Sequence, residues 1–232
     1  MNTIRLRLRY FGIAFLACGP FLGTPLLAQD YPLAAGTRWT YHLRKEVGPG
    51  VHFDGEDARV AKNNIVDTTI VAQVAGTDQI GGKTYTRVES HREGKLANVD
   101  WFALTPQGLM HSKTVDYLGG GQTELNPPER MLSPALAPQE TWIWQDSQSE
   151  KTSRTTALAP EQISVPAGTY RAIPVRMETS VPTDGEPVHM ILTQWFAPGV
   201  GYVKYEVRIE IAGHLLMHNT GTLEKFEHAP AQ

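Results

Sequence analysis

The chain has 232 residues, 21 Lys and Arg against 24 Asp and Glu for a net charge of −3, and a single cysteine. That length suits one domain with a sizeable core. The charge balance argues against nucleic acid as a partner, because phosphate backbones are held by clustered Lys and Arg that displace counterions. One cysteine excludes a disulfide framework and a thiolate metal site.

The N-terminus carries Arg5, Arg7 and Arg9 with no acid, residues 10–27 lack any charge, and Ala28 precedes the polar pair Gln29-Asp30. A basic start, an apolar middle and a small residue at the cut form the layout of a secretory signal peptide, with cleavage expected after Ala28. Gly12, Gly19, Pro20, Gly23 and Pro25 interrupt the apolar stretch, which disfavours a membrane-spanning anchor. Residues 1–28 are therefore expected to be a signal peptide and 29–232 a single β-rich domain, exported to the periplasm or secreted. Without the three leader arginines, 18 basic residues face 24 acids, and no cysteine is left. The alternative is a lipoprotein anchored through Cys18: Phe15-Leu16-Ala17-Cys18 loosely resembles a lipobox, although Phe and Leu depart from its usual first two places. Only on that alternative is a membrane a partner.

From residue 38 onward the pattern has period two. Strands are expected over 39–43, 66–74, 83–91, 96–104, 109–117, 142–144, 170–181, 188–196, 203–211 and 215–226. In the clearest, Val203, Tyr205, Val207, Ile209 and Ile211 alternate with Lys204, Glu206, Arg208 and Glu210. Such alternation gives one apolar and one polar face, as in an antiparallel sheet covered on one side. Gly76-Thr77-Asp78, Glu93-Gly94, Pro106-Gln107-Gly108, Thr183-Asp184-Gly185 and Ala212-Gly213 fall where hairpin loops are expected. No helix longer than about ten residues fits the 3.6-residue period. Residues 48–57 and 118–130 read as irregular, the second as a linker between two halves.

Those halves, 31–118 and 132–226, share features. Trp39 and Trp142 each follow a Pro/Ala/Leu-rich stretch and precede an aromatic two residues on, Tyr41 or Trp144. Gly82 to Tyr85 parallels Gly168 to Tyr170, and Trp101-Phe102-Ala103 parallels Trp195-Phe196-Ala197. The spacings are unequal, so chance competes with duplication. The expected fold is all-β: a curved antiparallel sheet or half-barrel with long hairpins, with two similar halves as an open option.

The segments Gly36-Thr37-Arg38-Trp39-Thr40-Tyr41, Val165-Pro166-Ala167-Gly168-Thr169-Tyr170 and Trp195-Phe196-Ala197-Pro198-Gly199-Val200-Gly201 together resemble a broad, poorly characterised group of exported bacterial β-rich proteins. The resemblance implies a curved antiparallel sheet similar to that of the LolA and LolB lipoprotein carriers. It carries over no catalytic residue and does not imply the carriers' role.

Motifs for catalysis, metals and cofactors are weak. Gly81-Gly82-Lys83-Thr84 glances at a phosphate loop, but a strand follows where that motif needs a helix N-terminus, so it reads as a hairpin. His214 and His218 share a helix face but stand about 13 Å apart on a strand, too far to share a metal. Asp100 beside Trp101 suits carbohydrate chemistry, yet strand neighbours face opposite ways, and a solvated acid beside a core ring is the plainer expectation. No Gly-x-Ser-x-Gly elbow is present. No catalytic residue, metal site or cofactor is expected. Trp39, Tyr41, Trp101, Trp142, Trp144 and Trp195 lie in strand patterns and suit either core packing or the lining of an apolar pocket. The reading is a non-catalytic envelope protein that binds a lipid, another apolar or amphipathic ligand, or an envelope partner protein. The alternatives are a secreted hydrolase of envelope polymers with carboxylates and histidines assembled by folding, and a structural or assembly protein.

Overall fold

A computed structural model describes residues 30–229; the expected signal peptide, its cleavage point and Cys18 lie outside them. The chain leaves its first strand, β1 (Arg38–Val47), for a loop and a six-residue helix, α1 (Gly55–Val60). It then runs as an antiparallel meander through β2 (Ile65–Ile80), β3 (Lys83–Arg92), β4 (Lys95–Thr105), β5 (Gly108–Asp116) and β6 (Gly121–Leu132). The second half continues through β7 (Thr141–Gln145), β8 (Thr152–Ala157), β9 (Glu161–Val165), β10 (Gly168–Val181), β11 (Val188–Ala197), β12 (Gly201–Ile211) and β13 (His214–Glu227). The order across the sheet is β6-β5-β4-β3-β2-β1-β13-β12-β11-β10-β8-β7, with β9 paired to β10 as a side leaf. The fold is all-β, as expected, and the sheet curls into a nearly closed antiparallel barrel.

The expected strands all form, and their turns explain why. Gly81-Gly82, Glu93-Gly94 and Ala212-Gly213 each join two strands with both central residues at positive φ, the conformation that type I′ hairpins require. Gly76-Thr77-Asp78 differs from expectation: it lies inside β2, where a bulge at Val74/Gly76 shifts the register without ending the strand. Residues 118–130 are mostly not a linker, because 121–132 form β6. Pro127 and Pro128 hid that strand, and it tolerates both because it is an edge strand and because its ladder with β5 skips 125–128, passing from Glu129–His111 to Glu124–Lys113.

The edges β6 and β7 close the barrel without a ladder. Trp142 Nε1 donates to Arg130 O at 2.8 Å and Trp144 Nε1 to Pro127 O at 2.7 Å. The Arg130 guanidinium sits 5.0 Å over the Trp142 ring and the Lys151 ammonium 5.2 Å over that of Trp144. The backbone N–H of Ser147 donates to Asn126 O at 2.6 Å, and Ser153 Oγ donates to the buried Glu129 carboxylate. Trp142 and Trp144 share the inward face of β7, so their rings fill the interior while their N–H groups reach the opposite edge.

One end of the interior is packed with rings. Tyr31, Trp39, Tyr41, Phe102, Phe196 and Tyr202 are at most 2% exposed. Tyr31 stacks on Phe196 at 5.8 Å and meets Tyr202 edge-on at 5.7 Å. Tyr41 Oη donates to Tyr202 O at 2.7 Å. Burial raises the phenol pKa of each of these tyrosines. On β13, Gly221 makes room for a ring: a Cβ there would lie 1.9 Å from Tyr205 Cε1.

Trp142→Phe and Trp144→Phe keep a ring but remove the donor, and each should cost about 1 kcal/mol in chemical denaturation. The double variant should speed amide exchange along β6. Gly221→Ala should cost about 1–3 kcal/mol from overpacking and distinctly less in a Tyr205→Ala background.

Candidate functional site

The six aromatics singled out in the sequence divide between two surfaces. Trp39, Tyr41, Trp142 and Trp144 point inward and are buried, while Trp101 and Trp195 are half-buried on the outer face. The outward pair share one local device. Each lies at a bulge before a fully buried phenylalanine, Phe102 or Phe196. Each lies under a lysine of the next strand, Lys113 at 5.3 Å or Lys204 at 4.4 Å from the ring centroid. Each donates its indole N–H to a carboxylate, Asp78 Oδ2 at 2.7 Å or Glu161 Oε1 at 2.5 Å. The repeated Trp-Phe-Ala segments thus build the same structure twice.

Asp100 and Trp101 do face opposite ways, but in the reverse sense from that expected. Asp100 is the fully buried member. Thr114 Oγ1 and Asn98 Nδ2 donate to its two oxygens, each at 2.5 Å, and His111 Nε2 lies 3.0 Å from Oδ1. Asp100 shares the inner face of β4 with Phe102 by alternation, and the bulge on β5, where Ser112 has no partner in β4, brings Thr114 onto the same inner surface as His111. The cluster is not a relay. In a nucleophile–histidine–acid triad the hydroxyl and the carboxylate engage different ring nitrogens, whereas Thr114, Asp100 and Lys113 O all gather at His111 Nε2. Phe102 stacks on the same imidazole at 4.7 Å. The arrangement holds β4 to β5 in a dry interior.

Toward the end of the barrel covered by α1, the interior is two-sided. One wall, from β1, β3, β5 and β13, carries Lys45, Ser90, Arg92, Asp116 and Asn219, all buried. The facing wall, from β10 to β13, carries Met177, Met190, Leu192, Val207, Ile209 and Met217, also buried. Asp57 of α1 reaches into the polar wall. Its Oδ2 accepts from Lys45 Nζ and its Oδ1 from Arg92 Nη1, both at 2.5 Å. Burial pulls the Lys45 ammonium below the usual lysine range, with Asp57 pulling the other way.

Several polar atoms of this interior are buried without a partner: Ser90 Oγ, Arg92 Nη2, Asp116 Oδ2, Asn219 Oδ1, and on the facing wall Thr179 Oγ1 and Gln194 Nε2. A buried polar group left unpaired costs about 1–3 kcal/mol, so such a collection in one compartment marks a place where a polar ligand or water belongs. The aromatic reading of the sequence missed these residues. The signal lay in the alternation itself, since Lys45 continues the inward series of Trp39, Tyr41 and Leu43, and Arg92 continues that of Val88 and Ser90.

An open groove of about 590 Å³ runs along β7, β8, β10 and β11, lined by the outward Ile143, Arg154, Glu178 and Ile191 and reaching the buried Thr179 and Met190. His214 and His218 lie on β13, and His218 Nε2 pairs with Glu206 Oε1 at 2.9 Å. Among the described residues no three His, Cys, Asp or Glu side chains gather as a metal site, and no helix is long and apolar enough to cross a membrane.

The outer Trp101 device gives a pH prediction. The indole hydrogen bond first, and Arg87 with it, hold the Asp78 carboxyl below the ordinary aspartate range against an opposing effect of burial. A carboxyl with a depressed folded-state pKa stabilises the fold above its unfolded value of about 3.9 and loses that contribution as pH falls through the folded value. Asp78→Asn should therefore lower the thermal midpoint at pH 7, and its difference from the unaltered protein should close as the pH is taken below about 4.

Comparison with known proteins places the chain near others of little-described role. No curated protein matches it. Two solved structures do, each at 14% identity and each covering 88% of this chain and all of the other. They are a candidate lipoprotein from Parabacteroides distasonis at a TM-score of 0.46 and a candidate exported protein with a YmcC-like fold from Bacteroides fragilis at 0.42. Residues 144–208, from the end of β7 into β12, are similar to a family described as DUF3108-like.

Proposed function

We propose that this protein is a non-catalytic, exported envelope protein whose barrel interior receives an amphipathic ligand. The observation that carries this reading is the two-sided compartment beneath α1, a polar wall with unpartnered buried atoms facing a wall rich in methionine. A ligand with a polar head and an apolar tail would satisfy both walls at once. Methionine side chains are flexible and yield to occupants of varied shape. The inward Trp142 and Trp144 would border the compartment at the barrel seam. The leader pattern of residues 1–28 supports export, and the curved antiparallel sheet is the fold that the motif resemblance implies, though the motifs specify no cargo.

The test is to purify the protein from the envelope of its own host, analyse it by native mass spectrometry and solvent extraction, and titrate it with the neutral dye N-phenyl-1-naphthylamine. A co-purifying amphiphile and dye binding that it displaces are the expected result. Ile209→Trp should weaken dye binding severalfold by filling the interior, and Ile143→Trp in the open groove should leave it unchanged. An empty protein with no dye-accessible interior would overturn the reading.

A further inference from the structure

Resting on that reading, we infer that Lys45 and Arg92 form a recognition site for the carboxylate head of an amphiphile, and that Asp57 of α1 is a built-in stand-in which occupies the site until the ligand displaces it. The site already holds a carboxylate. Asp57 bridges the two cations with one oxygen on each, and its side chain is only 4% exposed. It arrives on a short element carried by a long loop rather than on the barrel wall. α1 has six residues, and Gly50, Gly55, Asn63 and Asn64 around it all adopt positive φ, so the segment is joined to β1 and β2 through sharp turns.

The compartment offers more than α1 uses. Arg92 Nη2, Ser90 Oγ and Asn219 Oδ1 remain buried and unpartnered beside the bridge. A carboxylate presents about four lone-pair positions, so a ligand head in place of Asp57 could take the free guanidinium N–H and the Ser90 hydroxyl as well. The rings at the opposite end, from Tyr31 to Tyr202, are packed against one another, which leaves the α1 end as the way in.

Charge balance selects the ligand class. With α1 seated, Lys45 and Arg92 face the carboxylates of Asp57 and Asp116; Asp116 Oδ1 is held by the N–H groups of Leu118 and Gly119. Withdrawing Asp57 for a neutral head would leave a buried excess positive charge, which is strongly unfavourable. A monoanionic head restores the withdrawn charge, and the chain behind it would pack against Met177, Met190, Ile209 and Met217, which would shift to admit it. The structure thus points to a fatty-acid-like carboxylate and away from an uncharged lipid.

The experiment compares dodecanoate, dodecanol and dodecyl phosphate on the protein as isolated and stripped of any bound material, by calorimetry and by thermal midpoint. Dodecanoate should bind at least about tenfold more tightly than dodecanol. Its addition should accelerate exchange of the α1 amides of Ala58 and Ala61, which donate to Asp54 O and Asp57 O at 3.2 and 2.9 Å. Asp57→Asn should tighten dodecanoate binding and lower the midpoint of the free protein, with dodecanoate but not dodecanol restoring it; Arg92→Gln should abolish the preference. Should Asp57→Asn fail to fold, the exchange measurement on the unaltered protein decides. Equal binding of dodecanoate and dodecanol, or α1 amides unchanged at saturation, would overturn the carboxylate site while leaving amphiphile binding intact. Tighter binding of dodecyl phosphate would overturn the assignment to a carboxylate. Binding of none of the three, with nothing co-purifying from the host, would remove both this inference and the function it rests on.

Discussion

A sheet of this length acquires an inside only because its two edges meet, and they meet through indole N–H groups. β6 carries Pro127 and Pro128, which have no backbone donor, so a ladder with β7 would be broken at its centre. Trp142 and Trp144 supply donors from side chains instead, and their rings turn toward the interior that the closure creates. With Ser147 N–H on Asn126 O and Ser153 Oγ on Glu129, these bonds turn twelve strands on one path into an enclosed interior. Lys45, Arg92 and Asp57 are buried inside it.

Within that compartment the chain divides its chemistry along the barrel axis. The end holding Tyr31, Trp39, Tyr41, Phe102, Phe196 and Tyr202 buries its area against itself and anchors the strands. The end beneath α1 is built from charged and hydroxyl side chains on one wall and flexible apolar ones on the other. A protein selected for stability alone gains little from such an end, since well-packed apolar residues are often at least as stabilising as a buried ion bridge and leave no polar atom unpaired. The Asp100 cluster shows the contrast. There every carboxylate oxygen is engaged by Asn98, Thr114 or His111, and the network reads as a brace between β4 and β5. Beneath α1, Ser90, Arg92, Asp116 and Asn219 each keep an unengaged atom.

Much of the fold was legible because period-two alternation and two-residue glycine turns are local signals. The segment from Tyr202 to Ile211 and the turns at Glu93-Gly94 and Ala212-Gly213 carry their conformations in their own residues. The strands that escaped notice lack the local signal. β8 places Ser153, Thr155 and Ala157 on its inward face, so it has little apolar contrast, and β6 hides behind its prolines. Gly76 looked like a turn because a bulge and a turn ask for the same freedom of φ; only the pairing of Val74 with Val88 shows that β2 continues through it.

The sequence by itself determined that the chain is antiparallel β, where most of its hairpins turn, and that its tryptophans sit in strands, because each of these follows from neighbours a few residues apart. Tertiary structure decided where the alternation breaks, since bulges at Val74/Gly76, Trp101/Phe102 and Trp195/Phe196 shift the pairing by one residue and exchange the faces beyond them. It also decided that Asp57, Arg92 and Lys45, far apart in the chain, meet in one buried cluster. Their meeting depends on how the sheet curls and closes, a long-range geometry that no short window of residues encodes.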